Sequence, residues 1–171
     1  CGKCKSCKAG FFNHCTNLSL SRDTWMTIHT RTEGWIAGMR VAVLSLHDNV
    51  EQGVQTRNTL DAMTGKHRNF ADYFLEEVFM KQSIEMQQFL LKTSILNRMN
   101  ATLSEIITGI PNGTYMIRQL ERMNLFLVSL DGERQWYRYH HLFQDFLQMQ
   151  LQTNHPELIK PLNMKAGHWL E

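Results

Sequence analysis

Between Phe126 and Leu147 the apolar residues change their period from two to 3.6, and few folds admit that change over so short a run. Phe126-Leu127-Val128-Ser129-Leu130 and Gln135-Trp136-Tyr137-Arg138-Tyr139 alternate as paired strands do, with Asp131-Gly132 supplying the turn. Directly afterwards Leu142, Phe143, Phe146 and Leu147 recur at helical spacing. Upstream, Leu103 to Thr108 reads as a short helix ending at Gly109, Pro111-Asn112-Gly113 as a turn, and Tyr115 to Met123 as a second helix leading into the hairpin. Helix, turn, helix and two-stranded wing is the order of a winged helix.

The joint between wing and helix carries unusual chemistry. Trp136-Tyr137-Arg138-Tyr139-His140-His141-Leu142-Phe143 crowds aromatics, an arginine and two histidines into one run. His140 and His141 fall where a strand hands over to a helix N-terminus, and the unpaired N–H groups of such a terminus suit contact with an anion. The competing reading of the same residues is that one histidine caps the helix and the other is solvated.

The remainder of the chain reads as helix. Ser21 is placed as an N-cap with Asp23 in the first turn, for a helix running to about Thr30. A second apolar segment follows Gly34 and stops near His47-Asp48-Asn49, and the polar stretch Asp48 to Asn58 reads as a long loop. Phe70, Tyr73, Phe74, Glu77 and Val78 mark a third helix, and Ser83 caps a fourth through Phe89, Leu90 and Leu91. With 171 residues, 43% hydrophobic, and only three prolines and ten glycines, the chain is expected to fold throughout and to be mainly α, a helical domain followed by a winged helix with one two-stranded β-hairpin. The apolar stretch Trp35 to Leu46 is broken by Gly38 and Arg40 and falls short of the roughly 20 residues of a membrane span, so no membrane partner is expected. The sequence begins at Cys1 rather than Met, which suggests a piece of a longer protein.

Five separated segments resemble one family. They are Asn17-Leu18-Ser19-Leu20-Ser21, Thr30 to Gly38, Leu75-Glu76-Glu77-Val78, Leu120 to Leu127, and Trp136 to Phe146. In this order they are similar to the MalT-type, LuxR-family transcriptional regulators, which belong to the STAND class of ATP-dependent switches. The resemblance covers roughly residues 11 to 171. It implies a helical domain at 16–65, a winged helix at 66–153 and the start of an arm at 154–171; a cysteine-rich head at 1–15 precedes them. In such regulators a nucleotide-binding domain precedes these parts, and sensor repeats and a DNA-binding helix-turn-helix follow them. This sequence has no G-x-x-x-x-G-K-[ST] loop and no acidic strand end for magnesium, so the segment is expected not to be an enzyme and to meet ATP or ADP only in the full-length parent.

The resemblance also implies roles for single residues. Related switches hold ADP in the closed state with a winged-helix histidine on the β-phosphate, and His140 aligns best with it. A glycine followed by x-Pro normally packs its proline on the adenine; here Gly34-Trp35-Ile36 sets isoleucine in the proline's place, so Trp35 and Ile36 are the candidate base contacts, with core packing the rival role of Trp35. Partners would be the nucleotide-binding and sensor domains of the parent, DNA only through a C-terminal domain outside this sequence, and other copies of the activated parent. The location implied is cytoplasmic.

Cys1, Cys4, Cys7 and Cys15 follow C-x2-C-x2-C-x7-C, with Gly2, Gly10 and Asn13 placed as in the structural zinc loop of medium-chain alcohol dehydrogenases, which the head resembles. Four thiolates at this spacing can close a tetrahedral zinc site, and unliganded thiols are the alternative. No dinucleotide fingerprint or catalytic zinc ligands follow, which leaves a zinc-loop fragment of a dehydrogenase-like protein as the weakest functional reading. The other rival is a winged helix that reads DNA directly. Its second helix would offer Arg118, Gln119 and Arg122 against Glu121, with aliphatic Met116, Ile117, Leu120 and Met123 between; that mixture, and a net charge of only +2, favour packing on protein.

Overall fold

A computed structural model describes residues 5–9, 21–51, 68–123 and 126–170. Beyond the single turn α1 (Lys5–Lys8), the chain divides into two compact units, Cys1–Phe70 and Ala71–Glu171. In the first, α2 (Arg22–Arg31) starts at Ser21, whose hydroxyl accepts from the Thr24 N–H at 3.1 Å. It stops where Glu33 and Gly34 both take positive φ, 48° and 77°, and the Gly34 N–H returns to the His29 carbonyl at 3.1 Å. Helix α3 (Ile36–Glu51) follows at once. Ile28 of α2 and Ala42, Val43 and Leu46 of α3 form the core of this unit with Phe70.

The second unit is built on a layer of aromatic rings. Helix α4 (Arg68–Tyr73), in which the boundary falls, continues as a π-helical turn Phe74–Phe79 that buries Phe74, Val78 and Phe79. Helix α5 (Ile84–Thr93) is capped by Ser83, α6 (Ala101–Thr108) by Asn100, whose Oδ1 accepts from the Leu103 N–H at 2.8 Å. Gly109 ends α6 at φ 71°, the left-handed geometry of a glycine stop. Helix α7 (Gly113–Arg122) packs on α6, and its first N–H, that of Gly113, is taken by the Glu105 carboxylate at 2.7 Å. Strands β1 (Leu127–Ser129) and β2 (Tyr137–Tyr139) pair antiparallel, with Leu127 opposite Tyr139 and Ser129 opposite Tyr137. Helices α8 (His141–Asn154) and α9 (Pro156–Leu170) complete the unit.

The expected mainly α fold with one two-stranded hairpin is what forms. Three local expectations differ. The helix after Gly34 does not stop near His47; it runs on to Glu51, so the first part of the loop placed at Asp48 to Asn58 is helical, and 52–67 lies outside the described residues. Gly113 is not turn but the first residue of α7. Asp131-Gly132 does not make a two-residue turn: Asp131 organises a longer loop, its two carboxylate oxygens accepting from the N–H groups of Gln135 at 2.8 Å and Trp136 at 2.9 Å. A further bridge had no signal in the alternation. Met99 exchanges both backbone hydrogen bonds with Tyr137, at 2.8 and 2.9 Å, on the outer side of β2.

Tyr139 ties β2 to α5. Its ring is buried and its hydroxyl lies 2.7 Å from Thr93 Oγ1, which itself donates to the Phe89 carbonyl at 2.7 Å. The phenol must then be the donor in the pair. Tyr139→Phe removes that bond but leaves Thr93 bonded, so the expected loss is about 1 kcal/mol at neutral pH. Burial pushes the Tyr139 phenol well above its ordinary pKa. The unfolded phenol ionises near pH 10 while the folded one stays neutral, so stability falls as pH rises beyond about 10, at up to about 1.4 kcal/mol per pH unit. Urea unfolding at pH 7 and pH 11 should show a smaller alkaline loss in Tyr139→Phe; equal losses in both proteins would remove this account.

Candidate functional site

The junction of β2 and α8 is held from both sides. Tyr137 and Tyr139 point inward and Arg138 between them is half-buried. The backbone N–H of His140 donates to the Phe126 carbonyl at 2.7 Å. Phe126 sits at φ 52°, a left-handed conformation that costs a non-glycine residue roughly 1–2 kcal/mol. Its ring offsets this by packing on Phe74 and Phe143, with centroids 5.2 and 5.0 Å away, and lies 6.4 Å from the His140 ring. Strain held in place by packing thus fixes where the histidine stands.

His140 is the N-cap of α8. Its side chain is buried, and Nδ1 accepts from the Leu142 N–H at 3.3 Å while its carbonyl accepts from Phe143 and Gln144. A ring that accepts at Nδ1 and is neutral carries its proton on Nε2. His141 is half-buried rather than solvated, and its ring stacks on that of His140 with centroids 4.7 Å apart and planes 19° apart. One ring nitrogen thus serves the helix, and in the neutral ring the proton sits on the other.

The other candidate residues lie in the first unit. Trp35 is half-buried, its ring 6.4 Å from Phe70 and so close above Gly38 that a Cβ there would come within 2.1 Å of it. The ring thus packs within the first unit. Ile36, the first residue of α3, is 71% exposed. Cys1, Cys4 and Cys15 lie outside the described residues, as does the side chain of Cys7.

The face where a winged helix would meet DNA is mixed in charge. A cleft of about 530 Å³ between α6, α7 and the wing loop is lined by Arg118 and Arg134 but also by Glu121 and Glu133. Arg134 Nη1 lies 4.0 Å from Glu121 Oε1, and the Tyr137 hydroxyl donates to the Arg134 carbonyl at 2.7 Å. Burial, and after it the Glu121 carboxylate, push the Tyr137 phenol upward. Phosphates would meet both acids here, which opposes backbone contact.

Sequence reasoning missed several residues that hold this unit together. Gln144 and Gln148 on α8 donate from their amides to the carbonyls of Ser94 and Leu96 at 2.9–3.0 Å, latching the α5–α6 turn. The Arg98 guanidinium lies 4.9 Å over the Trp136 ring, which meets Trp169 of α9 edge-on at 5.9 Å. A glutamine on a helix looks solvated in sequence, and no spacing rule pairs it with carbonyls some fifty residues away.

Comparison with known proteins gives the chain its relatives. Residues 75–159 match the MalT winged helix domain. The chain is 32% identical over 162 residues to the HTH-type transcriptional regulator MalT of Vibrio cholerae, covering 94% of this chain and 18% of the regulator. It is 29% identical over 161 residues to the serine/threonine-protein kinase PknK of Mycobacterium tuberculosis, covering 94% of this chain and 14% of the kinase. The MalT of Klebsiella pneumoniae is 33% identical over 119 residues, 70% of this chain and 13% of that protein. The chain thus spans less than a fifth of the length of these relatives. They do not bear out the likeness of the cysteine head to a dehydrogenase zinc loop. Among the described residues no helix is long and apolar enough to cross a membrane. Between Leu75 and Ile159, the chain belongs to the MalT winged helix family.

Proposed function

We propose that this chain is an internal switch segment of a MalT-like, ATP-dependent transcriptional activator, which closes over bound nucleotide and relays the change to sensor and DNA-binding domains. The observation that carries the reading is the sharing of one segment by an HTH-type regulator and a protein kinase. A part common to two such different outputs performs neither; it suits a module that reports a state to whatever effector the parent carries. On this reading the winged helix packs on protein, the segment is not itself an enzyme, and it works in the cytoplasm beside the nucleotide-binding domain of its parent. Activated parents would associate with one another.

The ligand proposed for the parent is a nucleoside diphosphate. His140, with Nδ1 engaged by the Leu142 N–H, offers Nε2–H as a donor to a phosphate oxygen, and the N-terminus of α8 adds positive potential. In the first unit, taken by itself, Trp35 keeps its packing role beside Gly38 and Ile36 is the exposed candidate for an apolar base contact. A bound nucleotide would supply the negative charge that the N-terminus of α8 attracts. Cys1, Cys4, Cys7 and Cys15 enter the same proposal as a zinc loop; metal analysis under reducing conditions should give one equivalent, and markedly less would remove it.

The test is made on the longer parent, with ADP affinity and unfolding temperature measured together. His140→Ala should lose one charge-assisted hydrogen bond, about 1.5–3 kcal/mol, and so weaken ADP binding tenfold or more. His141→Ala should change it far less. Unchanged ADP affinity in His140→Ala, with only a lowered unfolding temperature, would leave the histidine as a cap and end the switch assignment. Direct DNA reading is tested in parallel: it would need affinity that falls steeply with salt.

A further inference from the structure

Helices α6 and α9 leave between them a shallow groove of about 590 Å³ on the surface of the second unit. Its floor is apolar: Ile106 from α6, and Pro161 and Met164 from α9, with Ile106 and Met164 44% and 56% exposed. Its rim is basic, formed by Lys160, Lys165 and His168. The acids on these helices are turned elsewhere. Glu105, beside Ile106, takes the Gly113 N–H at the start of α7, and Glu157 lies 3.6 Å from His155 at the start of α9. Pro161 has no N–H to return to the Glu157 carbonyl, and its ring faces the groove instead. His168 is oriented by its Nδ1, 2.8 Å from the Met164 carbonyl.

We propose that this groove docks an amphipathic helix whose apolar seam is flanked by aspartate or glutamate, presented by a partner protein. Charge complementarity selects the occupant, because among the described residues three basic side chains and no acid line the rim. Size agrees: from Lys160 to His168 the wall of α9 is about 12 Å long, two helical turns, which matches apolar anchors at i, i+3 or i+4 and i+7. Shape decides against a lipid surface. A membrane takes the convex face of one helix, whereas here the apolar atoms lie in a furrow shared by two. This surface is independent of nucleotide contact at His140, so either proposal can fail alone.

The experiment is selection of a display library of 18-residue helical peptides against the intact chain, with phosphatidylglycerol vesicles in a separate arm. Selected peptides should carry an apolar seam flanked by acids. Their affinity should drop at least tenfold for the Lys160→Glu, Lys165→Glu double variant and at least tenfold for Met164→Asp, all exposed positions whose exchange should leave the unfolding temperature unchanged. Binders without acidic flanks, binders indifferent to these variants, or failure to select any binder would overturn the proposal. So would vesicle binding that these substitutions abolish while peptides are ignored.

Discussion

Phe143→Ala is expected to remove about 3–5 kcal/mol of stability, the largest single loss in the second unit. The ring is fully buried and lies 5.0–6.1 Å from four others: Phe126, Phe74, Tyr139 and Phe146. No neighbour can collapse into the space, since Phe74 and Phe146 are themselves packed together at 5.6 Å and Phe126 is fixed by its left-handed backbone. A cavity would remain, and cavity volume adds to the lost transfer energy. Against a typical total of about 5–15 kcal/mol the variant would be marginal or unfolded at 37 °C. Phe143→Leu keeps most of the volume and should cost roughly half as much. Urea titration of the two variants checks this; a loss under 1 kcal/mol for alanine would mean that the ring layer is not the core.

Phe143 also shows what the sequence makes legible. Its spacing with Leu142, Phe146 and Leu147 declares a buried helical face, and Ser21, Ser83 and Gly109 mark helix ends because capping is local chemistry written in adjacent residues. The wing was legible from alternation. Its true loop was not, because Asp131 reaches four and five residues ahead with its side chain, and the Asp-Gly pair signals a tighter turn than that reach produces. The bridge from Met99 to Tyr137 was invisible for a different reason: a single residue pairing across the unit leaves no period to detect.

The candidate site was half legible. That a strand hands over to a helix at His140 follows from the change of period, and helix ends attract caps and anions alike. Sequence alone could not divide the roles of the two rings. The structure does so by burying His140 and giving its Nδ1 to the Leu142 N–H, with His141 stacked against it. Trp35 packs over Gly38, three residues ahead on α3, where the absence of a side chain leaves room for the indole. That pairing is a packing fact, recognisable only once the helix register is known.

Gly113→Ala is expected to destabilise the second unit by about 2–3 kcal/mol, although alanine ordinarily improves a helix. Two effects compete. In a helix alanine gains about 0.5–1 kcal/mol over glycine through backbone entropy. Against this, a Cβ at Gly113 would stand 2.4 Å from the Ala101 carbonyl oxygen and 2.9 Å from Ser104 Oγ and Glu105 Cγ. The carbonyl is backbone and accepts from Ser104 Oγ at 2.8 Å, so it cannot rotate aside as a side chain would. The helices must separate, which also stretches the 2.7 Å bond from the Gly113 N–H to Glu105 and uncovers the α7 N-terminus. Two other glycines provide the contrast. Gly109 has open space but φ 71°, so alanine there should cost about 1 kcal/mol through strain alone. Gly132 has open space and no positive φ, so alanine there should be neutral within about 0.5 kcal/mol. Thermal unfolding of the three variants should therefore rank them Gly132, Gly109, Gly113 in increasing loss, with each kcal/mol worth about 4–8 °C in a unit of this size. A Gly113→Ala protein as stable as Gly132→Ala would show that α6 and α7 do not approach this closely, and the packing of the winged helix would have to be redrawn.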